Sequence, residues 1–184
     1  MYRIRVYGDP VLRKQAQPIT EIDASLRTLV DQMFQTMWQA EGVGLAAPQI
    51  GRSIALTVID PRPLQKDTEP LVILNPRIVE ERGACGFEEG CLSVPEIKQD
   101  VIRSEFVVVE GMDLEGKTLR IETGDLLARI LQHEIDHLNG TLFIDRLATV
   151  QRQMVQAQLD AIEKRQRVQT RIKANAKTRG QDGV

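Results

Sequence analysis

The sequence predicts an α+β fold in which antiparallel sheets pack around one buried helix, with further helices towards the N-terminal and C-terminal ends. Three observations predict it. The segment 125–139 carries apolar residues around most of its circumference, as a helix enclosed on nearly all sides must. Strand-like runs at 106–113 and 118–122 are joined by Leu114-Glu115-Gly116-Lys117, whose hairpin chemistry gives antiparallel pairing. Strands and helices do not alternate, and no phosphate-binding G-x-G-x-x-G follows a strand, which disfavours a doubly wound nucleotide fold.

In chain order, the first helix is expected over 23–41, where Leu26, Leu29, Val30, Met33, Phe34, Met37 and Trp38 recur at helical spacing. Asp23 supplies its N-cap and Gly42 its stop. The Met and Trp stripe is read as core packing rather than as a ligand surface. Strands follow at 53–60, ended by Pro61, and at 71–74, ended by Asn75-Pro76, with a polar loop over 61–70 between them. The buried helix 125–139 takes Asp125 as its cap and Asn139-Gly140 as its left-handed stop. A last helix is expected over 149–166, packing through Val150, Met154, Val155, Leu159 and Ile162. Residues 1–166 thus read as a single catalytic domain, and 167–184 as a polar, basic, flexible tail.

A chain of 184 residues can bury a core without disulfides. The net charge of -2 argues against a general nucleic-acid binder, and no DNA partner is expected. The charge is uneven, however. From Gln151 onward Arg152, Lys164, Arg165, Arg167, Arg171, Lys173, Lys177 and Arg179 face only Asp160, Glu163 and Asp182. There is no uncharged apolar run long enough to cross a bilayer, so no membrane partner is expected. The N-terminus lacks the pattern of a secretory signal, so a cytoplasmic setting is expected, or an organellar one if a transit peptide was removed, with the two cysteines, Cys85 and Cys91, reduced. A disulfide between them is allowed by count but would close only a short loop.

The polar residues of the buried helix carry the chemistry. In His133-Glu134-Ile135-Asp136-His137, imidazoles four residues apart stand one above the other and can reach one point in space. Glu134 lies one step round the helix, near enough to accept a proton from a water that a metal activates. These are the only histidines in the chain. A divalent metal then needs a third protein ligand and an open position. The acids and both cysteines are candidates; Cys91, in the small-residue run Glu89-Gly90-Cys91-Leu92-Ser93, is the favoured one, and Cys85 is taken as a bystander.

Three segments together resemble the signature motifs of peptide deformylases, in the family's order and approximate spacing. They are Gly42-Val43-Gly44-Leu45-Ala46-Ala47-Pro48-Gln49, Glu89-Gly90-Cys91-Leu92-Ser93 and His133-Glu134-Ile135-Asp136-His137. Looser similarity runs from Asp9 to about Leu147. The resemblance implies that Cys91, His133 and His137 bind one divalent metal ion, Fe(II) first, with Zn(II) or Ni(II) able to take its place. It makes Glu134 the general acid and base, and points the Gln49 side-chain amide and the Leu92 main-chain N–H at the formyl oxygen. Gly42 and Gly44 would let the backbone approach a peptide closely. Val43, Leu126, Ile130 and the His133 ring would line the pocket for the methionine side chain, beside Arg129, where the family often has an apolar residue. Arg103 stands where the family has an arginine that helps hold the peptide; taken alone it reads as an exposed strand-end residue.

The implied activity is hydrolytic removal of the N-formyl group from the initiator methionine of nascent polypeptides, with release of formate. The basic C-terminal helix would suit the ribosome, as it does in related bacterial enzymes. Two other classes share parts of this pattern. A zinc endopeptidase would use the same His-Glu-His machinery but cut internal bonds of unformylated proteins, and a purely structural metal domain would have no use for Glu134 as a base.

Overall fold

The computed structural model describes residues 1–63 and 68–179, with side chains to residue 172. It is a mixed α/β fold built from two antiparallel sheets and several helices. The larger sheet has five strands, β1 (Gly44–Ala46), β2 (Leu56–Ile59), β3 (Leu71–Arg82), β6 (Phe106–Met112) and β7 (Thr118–Gly124), in the order β1-β2-β3-β6-β7. The smaller is a hairpin of β4 (Cys85–Cys91) and β5 (Val94–Arg103).

Helix α1 (Ala24–Gln39) starts where expected, with the Asp23 carboxylate accepting from the Leu26 N–H at 2.8 Å. Leu26, Val30, Met33 and Met37 pack on Leu45, Leu56, Val58 and Leu74, one face of the large sheet. Trp38 departs from the expected stripe: it is 47% exposed, stacks on Phe34, and donates from Nε1 to Asp60 at 2.8 Å. Helix α2 (Asp125–Leu138) packs on the opposite face through Ala128, Ile130, Leu131 and Ile135 against Ile59, Ile73, Val107 and Val109. Alternate residues of β2 serve the two cores, as the two-residue period of a strand requires.

The β6–β7 hairpin forms as expected, with Gly116 at φ +77°. Asp125 does not cap α2: the cap is Gly124, and Asp125 begins the helix at φ +51°. Gly140, at φ +72°, does end it. Strand β3 runs eight residues past its expected end, because after the Asn75-Pro76 irregularity it changes partner from β2 to β6. The last helix is two pieces, α3 (Thr149–Met154) and α4 (Gln156–Arg179), interrupted at Val155, whose side chain enters a third core with Leu159, Ile162 and the β5 residues Val94, Ile97 and Val101. Val150 and Met154, expected on the packing side, are exposed. Helix α4 also passes the expected limit at Gln166 and continues to Arg179, so the presumed tail is helical as far as it is described; the end of that tail, 180–184, lies outside the described residues, as does 64–67 of the polar loop. No described helix is long and apolar enough to cross a membrane.

Candidate metal centre

Helix α2 delivers two imidazoles and strand β4 ends on a thiol at the same place. The ligand atoms offered by Cys91, His133 and His137 all lie within 4.8 Å of one another, and Cys91 Sγ is 3.2 Å from His137 Nε2. Cys91 is the last residue of its strand, paired with Val94 across a tight turn. The Ser93 N–H, at 3.4 Å, points at its sulfur. Both cysteines are free. Cys85 lies away from the cluster, 3.4 Å from Arg129 Nη2.

The two histidines differ in support. His133 Nδ1 is 3.0 Å from the Glu89 carboxylate, which fixes the tautomer and leaves Nε2 for a ligand. His137 Nδ1 is buried with no hydrogen-bond partner among the described residues. Burial and the charge of its neighbour push the His137 ring well below the usual imidazole range. Burial acts the same way on His133, but Cys91 and Glu89 lift it to about 10, marking a spot that attracts positive charge. Glu134 is also buried; desolvation raises its carboxyl to about 7, and Oε2 has no partner among the described residues. A thiolate, two imidazoles and an unpartnered carboxylate oxygen beside them fit a divalent cation with an open solvent position.

Behind these groups lies an ionic network that the sequence did not announce. Glu89 accepts from Arg103 Nε and Nη2 at 2.6 and 3.0 Å, from Arg129 Nη1 at 2.7 Å, and faces His133. Burial alone would raise Glu89, yet the hydrogen bonds of His133 and Arg103 hold it at about 2. Arg103 also donates to Asp136 at 2.8 Å, and Arg146 pairs with the other side of that carboxylate. Arg103 is thus not the exposed strand-end residue that it reads as when taken alone. Its side chain is 1% exposed and spends its donors on Glu89 and Asp136, because a buried guanidinium must pair. Arg129, at the cleft wall, donates to Glu89 and to the carbonyls of Val101 and Cys85, under the ring of Phe87. Only the place of Glu89 next to Gly90-Cys91 hinted at its part.

The cluster opens into a cleft of about 780 Å3 lined by Val43, Gly44, Gln49, Leu92, Leu126, Ile130, His133 and Glu134 among others. Gln49 Oε1 accepts from the Ala46 N–H at 2.8 Å, which turns Nε2 towards Ser93 Oγ at 3.2 Å and Cys91 Sγ at 3.7 Å. The Leu92 N–H has no acceptor among the described residues. Strand β1 is the edge of its sheet. Just before it, the Val43 carbonyl is taken by the Asp60 N–H, so by alternation the Gly44 N–H and C=O face the open edge. A Cβ at Gly44 would stand 2.8 Å from the Glu134 carboxyl carbon, so any larger residue would push that carboxylate from its place.

The family model for polypeptide deformylases matches residues 1–153. A peptide deformylase of Chlorobaculum parvum is 46% identical over 169 residues, 91% of this chain and 90% of its own length. Among solved structures, the peptide deformylase of Legionella pneumophila superposes with a TM-score of 0.81 at 48% identity, covering 93% of this chain and 98% of that one. That of Thermus thermophilus gives 0.83 at 40% identity, covering 90% and 99%. With nearly full-length matches on both sides and the Cys-His-His cluster assembled, this chain belongs to the polypeptide deformylase family.

Proposed function

We infer that this chain hydrolyses the formyl group from the N-terminal methionine of newly synthesised polypeptides, releasing formate and a free amine. The observation that carries the reading is Glu134: a buried carboxylate with one oxygen unpartnered among the described residues, beside a thiol and two imidazoles on the floor of a cleft. Cys91, His133 and His137 would hold the cation. Two imidazoles and a thiolate suit several first-row ions, and we take Fe(II) as the native one, with Zn(II) or Ni(II) able to replace it. When bound, the ion supplies Lewis acidity, polarising a carbonyl and lowering the pKa of water from about 15.7 to about 7.

The rest falls to the chain. Glu134 takes the proton of the attacking water and hands it to the departing nitrogen. Gln49 Nε2 and the Leu92 N–H donate to the oxygen on which negative charge develops. The open edge at Gly44 pairs with the main chain of the peptide as an added strand would. Val43, Leu126, Ile130 and the His133 ring receive the methionine side chain. Arg103 serves this site from behind, through Glu89 and Asp136, rather than by touching the peptide.

Residues 1–166 form the catalytic unit in this reading and 167–184 an appended basic segment. Lys164, Arg165 and Arg167, together with Arg171, give α4 a basic character suited to ribosomal RNA phosphates. A cytoplasmic setting agrees with two free thiols. The test is formate release from a formyl-methionyl tripeptide by anaerobically purified protein. Turnover with equal yields of formate and free amine is expected; none from protein holding one Fe(II) per chain would overturn the activity. Ribosome co-sedimentation unchanged after neutralising Arg165, Arg167 and Arg171 would remove the second partner.

A further inference from the structure

We propose that Ser93 is a positioning residue for Gln49, its hydroxyl oxygen holding one hydrogen of the side-chain amide so that the other is presented to the cleft. The proposal rests on the reading of Gln49 as a donor to the developing oxyanion. Ser93 is 0% exposed and does not line the cleft, so it cannot touch a substrate. Its Oγ lies 3.2 Å from Gln49 Nε2, whereas the other neighbour of that nitrogen, Cys91 Sγ, is at 3.7 Å and is the weaker acceptor.

The opposite end of the amide is tied by the Ala46 N–H at 2.8 Å, which decides which way the group is flipped. With Oε1 fixed there and one Nε2 hydrogen taken by Ser93, the plane of the amide is set, and its second hydrogen, held only by the long contact to Cys91 Sγ, is the one a ligand oxygen would take. The main chains of the two residues are also bound to one segment. The Arg5 N–H donates to the Gln49 carbonyl at 2.7 Å and the Tyr7 N–H to the Ser93 carbonyl at 2.8 Å. Donor and anchor, far apart in sequence, are thus registered against the same stretch of backbone before substrate arrives. Such preorganisation acts on the transition state and leaves ground-state binding alone.

The test uses the full-length zinc-loaded enzyme and a formyl-methionyl tripeptide. Ser93→Ala is expected to lower kcat roughly ten-fold, the scale of one hydrogen bond, with KM, zinc content and melting temperature unchanged. Gln49→Ala should lower kcat further, and adding Ser93→Ala to it should change nothing more. An equal effect of Ser93→Ala in both backgrounds overturns the proposal. If Gln49→Ala is slow while Ser93→Ala is not, the proposal alone falls; if Gln49→Ala keeps full kcat, the donor reading falls and takes the proposal with it. In the 15N spectrum of the wild-type zinc enzyme, one Gln49 side-chain amide hydrogen should exchange slowly with solvent. Equally fast exchange of both hydrogens overturns the proposal whether or not the variants fold.

Discussion

Helices α1 and α2 pack on opposite faces of one sheet, yet they are stabilised by different physics. The buried face of α1 is apolar apart from Thr36, with Met33 and Met37 at its centre. Helix α2 buries Arg129, Gln132, Glu134, Asp136 and His137 alongside its apolar residues. The first arrangement gains from removing apolar surface from water. The second removes charges from water as well, which is favourable only when each charge is met by a partner. Glu89 meets Arg129, and Arg103 and Arg146 meet Asp136, so the small hairpin beside α2 supplies electrostatic partners to the helix as well as the apolar residues it gives to the third core.

The sharpest way to test the contrast is Glu134→Ala. Turnover should fall roughly a thousand-fold, the scale of general acid–base catalysis, while bound metal and melting temperature stay the same or rise, because an unpartnered buried carboxyl is gone. Next comes Arg103→Met, which leaves two buried carboxylates short of a cation. It should cost about 3–5 kcal/mol in urea unfolding and weaken metal retention through Glu89 and His133. Met33→Ala, in the apolar partner region, should cost about 3 kcal/mol by cavity formation, with kcat per folded molecule intact. A loss of metal retention as large as that of Arg103→Met would erase the distinction.

The smallest effect belongs to a polar tether of α1. Hydrogen bonds from Arg62 first, and then from Trp38, hold Asp60 at about 2, below its ordinary 3.8. Because the folded value is the depressed one, the stabilisation is complete above about pH 4 and is lost as pH falls towards 2. Asp60→Asn should therefore lower stability at pH 7 by about 1 kcal/mol, a modest figure because Arg62 is half exposed, and match the wild type near pH 2. Urea titrations at the two pH values measure the difference.

The same division governs how much could be read from sequence. Helix α1, helix α2 and the β6–β7 hairpin follow local rules, 3.6-residue periodicity and the turn at Gly116, and were legible. The proximity of His133 and His137 was legible because their spacing on one helix stacks them, whereas the approach of Cys91 depends on a strand from elsewhere in the chain. Strand β4 was not, since Gly86, Glu88, Glu89 and Gly90 look like loop; they form a strand because β5 supplies the partner. Nor was β1, too short for any alternation to show. Arg103 was misjudged for a related reason. Its partners, Glu89 and Asp136, lie 14 and 33 residues away, and a lone Arg at a strand end carries no trace of them.

The brevity of β1 has a kinetic consequence. Of its two outward-facing residues, Gly44 and Ala46, the second gives its N–H to Gln49, which leaves one open rung, at Gly44. On the proposed reading, one rung would align the first residues of a polypeptide but be too little to retain it, so a trimmed chain would be free to leave and the next to enter. The same shortness denies a second copy of the protein a ledge to stack on, in a region where an exposed sheet margin would otherwise invite aggregation.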